Sequence, residues 1–458
     1  AGGKHISMRI AWADMRALYL ASVADRVYGQ PAGGVESGGL AITRTYLADL
    51  LRQLGVEAQF VAIGDYKSAP DALTRTAPSD ADTEQTRAML EDFEEEWLAA
   101  VAAGRGLTKE ALRASFKVSM KSMATAHKAG LVDRLVGDHE LKPALKEDVG
   151  HDVHFVHSYE RAPDSWRPWA GLDTVAVVPV LGTISSGGSG GGLLTSGDTT
   201  DRPMIKLLGA LKEDSDVVAV VLRIDSPGGG VVASDRIYEA VRKLAASKPV
   251  VVSMGEVAAS GGYYIACGAK QIFATPLSIT GSIGIFAGKV HGAALLERIG
   301  VGVHTERTAA HADQRSVFRP FDEVEIEALK VALGHSYERF VGLVSRARDM
   351  TMAEAKARSG GRVYSGSRAR KERLVDAEGS LWDAIEAARA LGGAAGGARV
   401  VYSTPSRPAS GALSMGQQAL SNTATPRWFS AITSWMASLE SLRSQPVQAR
   451  LPFELEIR

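Results

Sequence analysis

The chain has 458 residues, 45% of them apolar, with 52 basic against 52 acidic side chains and a single cysteine. That length allows roughly two to four domains, and the apolar share suits a packed globular protein rather than a disordered one. Balanced charge argues against nucleic-acid binding by bulk electrostatics, and the lone Cys267 excludes an intrachain disulfide.

Cys267 lies in the apolar run Tyr264-Ile265-Ala266-Cys267 and reads as a buried structural thiol. No apolar run approaches the ~18–20 residues of a membrane-spanning helix, and no signal-peptide pattern is visible. The chain begins with Ala1 rather than Met, which leaves room for an upstream leader or anchor.

In chain order, the first chemically suggestive stretch is Gly64-Asp65-Tyr66-Lys67-Ser68-Ala69-Pro70, with a lysine among small residues. Strand-like runs rich in Val and Ile follow at 174–180, 217–224 and 249–253. Between the last two, Ile237, Val241 and Leu244 fall at helical spacing over 233–244, and Ser234 can cap that helix. Alternating strand and helix predicts parallel βαβ units in an α/β fold. Gly187 to Gly192 form a glycine-rich loop with no basic residue or P-loop pattern, so they are not read as a phosphate cradle. Asp225-Ser226-Pro227-Gly228-Gly229-Gly230 reads as a turn between strand and helix, a place where backbone N–H groups are exposed. In Gly255-Glu256-Val257-Ala258-Ala259-Ser260-Gly261-Gly262, Ser260 follows the buried run Val250–Val252 and reads as a nucleophile on a strand-to-helix turn. Ser282, in Thr280-Gly281-Ser282-Ile283-Gly284, is either an ordinary turn serine or a hydroxyl that orients an amine. Beyond the linker Ser406–Gly411, Trp428, Ile432, Trp435, Met436 and Leu439 recur at helical spacing. This amphipathic segment packs on the core in the plainest reading, and joins an oligomer or a membrane surface in the others.

The chain also repeats itself. Leu18–Tyr28 recurs as Tyr263–Phe273 at an offset of 245, which holds again for Pro31 with Pro276 and for Leu54-Gly55-Val56 with Ile299-Gly300-Val301. Gly130-Leu131-Val132-Asp133 matches Arg373-Leu374-Val375-Asp376 at an offset of 243, as Trp97 matches Phe340. The expected organisation is a first repeat over 1–150, a linker over 151–172, a second repeat over 173–395 and a C-terminal extension over 396–458. By the offset, about 70 residues of the first copy are expected to lie upstream of Ala1, so that copy reads as N-terminally truncated.

The duplication allows an internal comparison. Ser260 corresponds to Met15, and Lys67 to Ala312 or Ala310, so each half holds the residue that the other lacks. Two ancestral serine–lysine sites that merged into one would leave this pattern. A serine hydroxyl is a weak nucleophile and needs a base. A lysine serves only when burial lowers its pKa from the usual value near 10.4. The N–H groups of Gly229 and Gly261 could hold a tetrahedral oxyanion. His291 and His311 are the competing candidate bases.

These motifs resemble the S49 peptidases in their long, duplicated form, with the closest likeness at Asp225–Gly230, Met254–Tyr264, Thr280–Phe286 and Gly64–Ala69. The resemblance implies tandem Clp protease/crotonase-like domains built from repeated ββα units. It implies a serine endopeptidase without cofactor or metal, with Ser260 as nucleophile, Lys67 as general base, Ser282 in contact with the lysine, and Gly261 and Gly229 in the oxyanion hole. It implies remnant signal peptides and other apolar peptides as substrates, and no nucleic-acid partner. It also implies a dome-like homotetramer in the bacterial inner membrane, anchored by a segment upstream of this chain, with its catalytic part periplasmic. The alternatives are a Clp-like Ser–His protease, a crotonase-type acyl-CoA enzyme and a catalytically impaired homologue.

Overall fold

A computed structural model describes residues 4–155, 173–187, 198–395 and 397–405, together with the backbone of 447–450. The amphipathic segment at 428–439 and most of the glycine-rich loop lie outside the described residues. The chain divides into two compact units, one of residues 1–43 and 90–169 with the last four residues, the other of 44–89 and 170–454.

The first unit holds a small sheet in which Arg26–Glu36 pairs in parallel with Ser7–Ala13 and Arg134–Leu135, and antiparallel with Met120–Ser122. Its core gathers Ile10, Leu18, Val27, Trp97, Leu98, Met123 and Leu131. The Trp97 indole N–H donates to the Met15 carbonyl at 2.7 Å, so the buried ring loses no hydrogen bond.

The second unit is built on a larger sheet. We label its site-forming strands β1 (Glu57–Ile63), β2 (Thr174–Ser185), β3 (Val217–Gly230), β4 (Val250–Ala259), β5 (Ile279–Gly281), β6 (Ile285–His291), β7 (Val363–Ser365) and β8 (Val447–Arg450). They run in the order β7-β5-β4-β3-β8-β6-β1, with β2 against the other side of β3. Strands β2, β3 and β4 are mutually parallel, as the βαβ pattern predicts. Their continuous apolar runs follow from burial on both faces. Val178, Val180, Val220, Leu222, Val250 and Val252 face a core shared with Ile237, Val241 and Phe340. Val175, Val177, Val221 and Val251 face Ala384, Ile385 and Ala388 of the helix Leu381–Leu391.

Two details differ from the sequence reading. The stretch 225–230 is not a turn: β3 continues to Gly230, and the helix α1 (Val231–Ala245) starts at once. Its glycines serve close approach, since a Cβ on Gly229 would lie 2.0 Å from the Ile184 carbonyl oxygen of β2. Nor does Ser234 cap α1; its hydroxyl donates back to the Gly230 carbonyl at 3.0 Å.

The duplication is also written into the hydrogen bonds. The Asp133 carboxylate accepts from Val27 N–H at 2.7 Å, and the Asp376 carboxylate accepts from Ile272 N–H at 2.8 Å. Arg105 pairs with Asp133 as Arg348 pairs with Asp376. The offsets are those of the sequence repeat.

Candidate active site

Ser260 sits between β4 and the short helix α2 (Gly261–Ala266), with φ 54° and ψ −111°. Such a backbone costs a non-glycine residue about 1–3 kcal/mol and persists only where its surroundings enforce it. Here Ser260 N–H donates to Gly281 O at 2.8 Å, and Tyr264 N–H donates to Ser260 O at 2.8 Å. The buried Tyr263 locks the far side, its hydroxyl donating to Leu374 O at 2.7 Å. Small neighbours are required. A Cβ on Gly261 would lie 2.6 Å from Ser234 Oγ and 3.1 Å from Gly229 N, and one on Gly262 would lie 3.0 Å from Ser226 O.

Lys67 reaches this serine from the loop after β1. That strand pairs antiparallel with β6 over seven residues, from Glu57 opposite His291 to Ile63 opposite Ile285. Gly64, at φ 105°, turns the chain away from the sheet, and Tyr66 N–H donates to Gly360 O at 2.9 Å. Lys67 is 2% exposed. Its Nζ lies 2.8 Å from Ser260 Oγ, 2.9 Å from Ser282 Oγ and 3.1 Å from Ser282 O.

All three partners are uncharged, and burial alone drives the Lys67 pKa well below its ordinary value. A neutral amine has two N–H donors and one lone pair. The two donors satisfy Ser282 Oγ and the Ser282 carbonyl, which can only accept or accept equally well. In that neutral state the lone pair would be left for the Ser260 hydroxyl, 2.8 Å away, to donate to. Ser282 is no ordinary turn serine: it is fully buried, has φ 52°, and its N–H donates to Arg362 O at 2.7 Å.

The support for Lys67 includes residues that the sequence reading missed. Gly361 N–H donates to Ile283 O at 2.9 Å, and a Cβ on Gly361 would fall 2.5 Å from Lys67 N. Gln85 Nε2 donates to Tyr66 O at 3.2 Å, while its Oε1 accepts from Val363 N–H of β7 at 3.2 Å. Arg362 stacks over the Tyr66 ring at 3.8 Å and pairs with Glu84 at 2.8 Å. The Gly360-Gly361 pair was a readable signal for a special backbone. Gln85 and Glu84 carry none, because they sit unremarkably near the start of the helix Asp80–Arg105.

The histidines lie elsewhere in the bonding pattern. Neither ring nitrogen of His291 has a hydrogen-bond partner. His311 Nδ1 faces Asp322 and Glu325 at 3.2 and 3.3 Å. Those three side chains form a metal-type cluster, but Arg319 already binds Glu325 through both carboxylate oxygens.

Residues 8–152 and 242–394 both match the model of peptidase family S49. The chain belongs to this family. Two matched stretches are what a tandem duplication within S49 requires, and residues 195–280 also match the Clp protease model. The chain is 30% identical over 84% of its length to "Serine protease SPPA, chloroplastic" of Arabidopsis thaliana. It is 31% identical over 81% of its length to "Protease 4" of Haemophilus influenzae. These alignments cover 58% and 62% of those proteins, so the chain spans about three fifths of their length. A shorter relative, "Putative signal peptide peptidase SppA" of Enterococcus faecium, is 30% identical over 52% of the chain and 69% of its own length.

Proposed function

We propose that the chain is a serine endopeptidase that degrades apolar peptides, remnant signal peptides first among them, through a Ser260–Lys67 dyad. The observation that carries this reading is the 2.8 Å contact between Ser260 Oγ and a fully buried lysine with no charged partner. Lys67 Nζ takes the Ser260 hydroxyl proton as Oγ attacks the peptide carbonyl carbon. The N–H groups of Gly261 and Gly229 stabilise the oxyanion that forms. Lys67 returns the proton to the leaving amine, and the C–N bond breaks to leave an acyl-Ser260 ester. Water, deprotonated by Lys67, then attacks the ester, and the proton returns to Ser260 Oγ as the acid product departs. Ser282 holds the amine so that its lone pair faces Ser260.

The repeats lie at 1–150 and 173–395, joined by 151–172 and followed by the extension 396–458. The reading includes a homotetramer at the bacterial inner membrane with its catalytic part in the periplasm. Gly302–Thr308, the repeat equivalent of β1, is exposed and belongs to no strand, which supports an edge open to another copy. No helix among the described residues is long and apolar enough to cross a membrane. Hydrolysis of an apolar reporter peptide tests the dyad. Ser260→Ala and Lys67→Ala should each abolish it, and near-normal turnover by Lys67→Ala would overturn the assignment. Essential His291 or His311 with dispensable Lys67 would establish the Ser–His alternative.

A further inference from the structure

The first unit holds a second serine with a lysine amine against it, and the peptidase reading uses neither. Lys121 Nζ lies 2.8 Å from Ser37 Oγ, the distance that also separates Lys67 from Ser260. Ser37 is fully buried and Lys121 is 6% exposed. The amine also donates to the Val118 carbonyl. Both partners are uncharged, and burial lowers the Lys121 pKa from its ordinary value.

The repeat explains the serine but not the lysine. At the offset of 245, Ser37 falls on Ser282. The backbone agrees: Ser37 N–H donates to Ser119 O at 2.8 Å, as Ser282 N–H donates to Arg362 O at 2.7 Å. Val35 stands opposite Lys121, as Thr280 stands opposite Tyr364. Lys121 therefore takes the place of a tyrosine and brings an amine to Ser37 from the facing strand, where Ser282 receives one from Lys67. A neutral amine here can donate to the Val118 carbonyl and offer its lone pair to the Ser37 O–H.

The residues after the serine fit the same chemistry. Ser37-Gly38-Gly39 repeats the order Ser260-Gly261-Gly262. Gly38 is exposed, and Gly39 turns the chain at φ 94°. Among the described residues neither glycine N–H has a hydrogen-bond partner, so both are open to an oxyanion. Val118, Met120 and Trp12 are each more than half exposed. The first two flank Lys121 in sequence, and the Trp12 ring lies against Gly34, which itself approaches the Lys121 carbonyl. This apolar surface suits an acyl chain.

We propose that Ser37 and Lys121 form a second catalytic pair, an esterase site for carboxylic esters with a short apolar acyl group. Lys121 Nζ takes the Ser37 proton as Oγ bonds to the acyl carbon, and the alcohol leaves with that proton. Water then cleaves the acyl-Ser37 ester, one of its protons passing through Lys121 back to Ser37 Oγ as the acid departs. An ester suits this pair better than a peptide. An alkoxide leaves more readily than an amine, and no second hydroxyl steers this lysine as Ser282 steers Lys67.

The test uses the full-length Ser260→Ala chain, in which any remaining serine chemistry comes from elsewhere. A fluorophosphonate probe should label Ser37, located by peptide mass spectrometry, and p-nitrophenyl butyrate should be turned over. Adding Lys121→Met should lower both rates by at least about 10²-fold with an unchanged circular dichroism spectrum. Adding Ser37→Ala, which removes one buried oxygen, should abolish turnover, and it carries the test if Lys121→Met does not fold. No label at Ser37, or undiminished ester turnover in the Ser37→Ala chain, would overturn the proposal. Label on Ser37 that Lys121→Met leaves undiminished would overturn the pairing, and label without turnover would overturn the esterase assignment. Since Ser260 is absent throughout, each of these outcomes leaves the Ser260–Lys67 reading to be judged by peptide hydrolysis of the parent.

Discussion

Replacing Lys67 with methionine keeps the volume of the stem and removes only the amine, so its effects isolate what that amine does. The native Nζ has three uncharged hydrogen-bond partners, and burial drives its pKa well below the ordinary value. In the unfolded chain the same group has its ordinary pKa, 10.5. Between the lowered native pKa and 10.5, the unfolded state carries a proton that the native state does not. Stability must then rise with pH across that window, because the buried amine costs most at and below its native pKa and nothing above 10.5. The slope is about 1.4 kcal/mol per pH unit. The stability of the parent minus that of Lys67→Met should therefore climb between pH 8 and 10, measured by urea unfolding of both proteins in parallel. A difference that stays flat over this range would mean that Lys67 is charged in the native protein, and the reasoning for a neutral base would fail. Peptide hydrolysis should fall by at least about 10³-fold in Lys67→Met, or ~4 kcal/mol of transition-state stabilisation. In the parent it should rise with pH through the native lysine pKa and then level off.

Ser260→Gly should be more stable than Ser260→Ala by about 1–2 kcal/mol, because glycine alone adopts φ 54° without strain; equal unfolding midpoints would refute strain at this turn. Gly361→Ala puts a Cβ 2.5 Å from Lys67 N at φ 85°, so turnover should drop by about 10²-fold through misplacement of the lysine. Its circular dichroism spectrum should stay like the parent's, and an unchanged kcat would count against a positioning role for Gly361. Arg319 holds the Glu325 carboxyl down to about 2. The stabilisation this gives is full above the ordinary pKa of 4.5 and is lost as pH falls toward 2. Arg319→Met should narrow that acid window, seen as a smaller drop in thermal midpoint between pH 4.5 and 3 than in the parent.

Much of the site was legible because its chemistry needs rare local sequence. Ser260 stands out since a strained turn between packed elements tolerates only small neighbours, and Ala258, Ala259, Gly261 and Gly262 supply them. Lys67 stands out because the repeat shows where it has no counterpart. What misled was the habit of reading Gly and Pro as turn markers. At 225–230 the glycines let backbones approach within a strand, and only the neighbouring β2, remote in sequence, explains them. Ser234 likewise reads as a cap from its own sequence, yet its role is fixed by Gly261 packing against it. Gln85 and Glu84 are illegible for a different reason: each acts on a segment nearly 280 residues away, and the local helix would be the same without them.

The two halves differ at the positions equivalent to Ser260 and Lys67. In the first unit, strand Ser7–Ala13 leads into helix Met15–Ala21 just as β4 leads into α2. There Asp14 occupies the junction with φ −92° and ψ −173°, an ordinary extended backbone, and caps the helix by accepting from Ala17 N–H at 2.8 Å. Met15, the equivalent of Ser260, is buried in the core. At this strand-to-helix junction the positive-φ backbone is present in the second repeat and absent from the first. The base follows the same logic. Ala312, the equivalent of Lys67, is exposed in the second unit, whereas Lys67 is buried by residues of the other repeat, Gly284 and Gly361 among them. A lysine in the position of Ala312 would stay charged and useless as a base. Burial, supplied by one repeat to the other, is thus what lowers the Lys67 pKa, and under the proposed mechanism it is what lets this lysine act as a base.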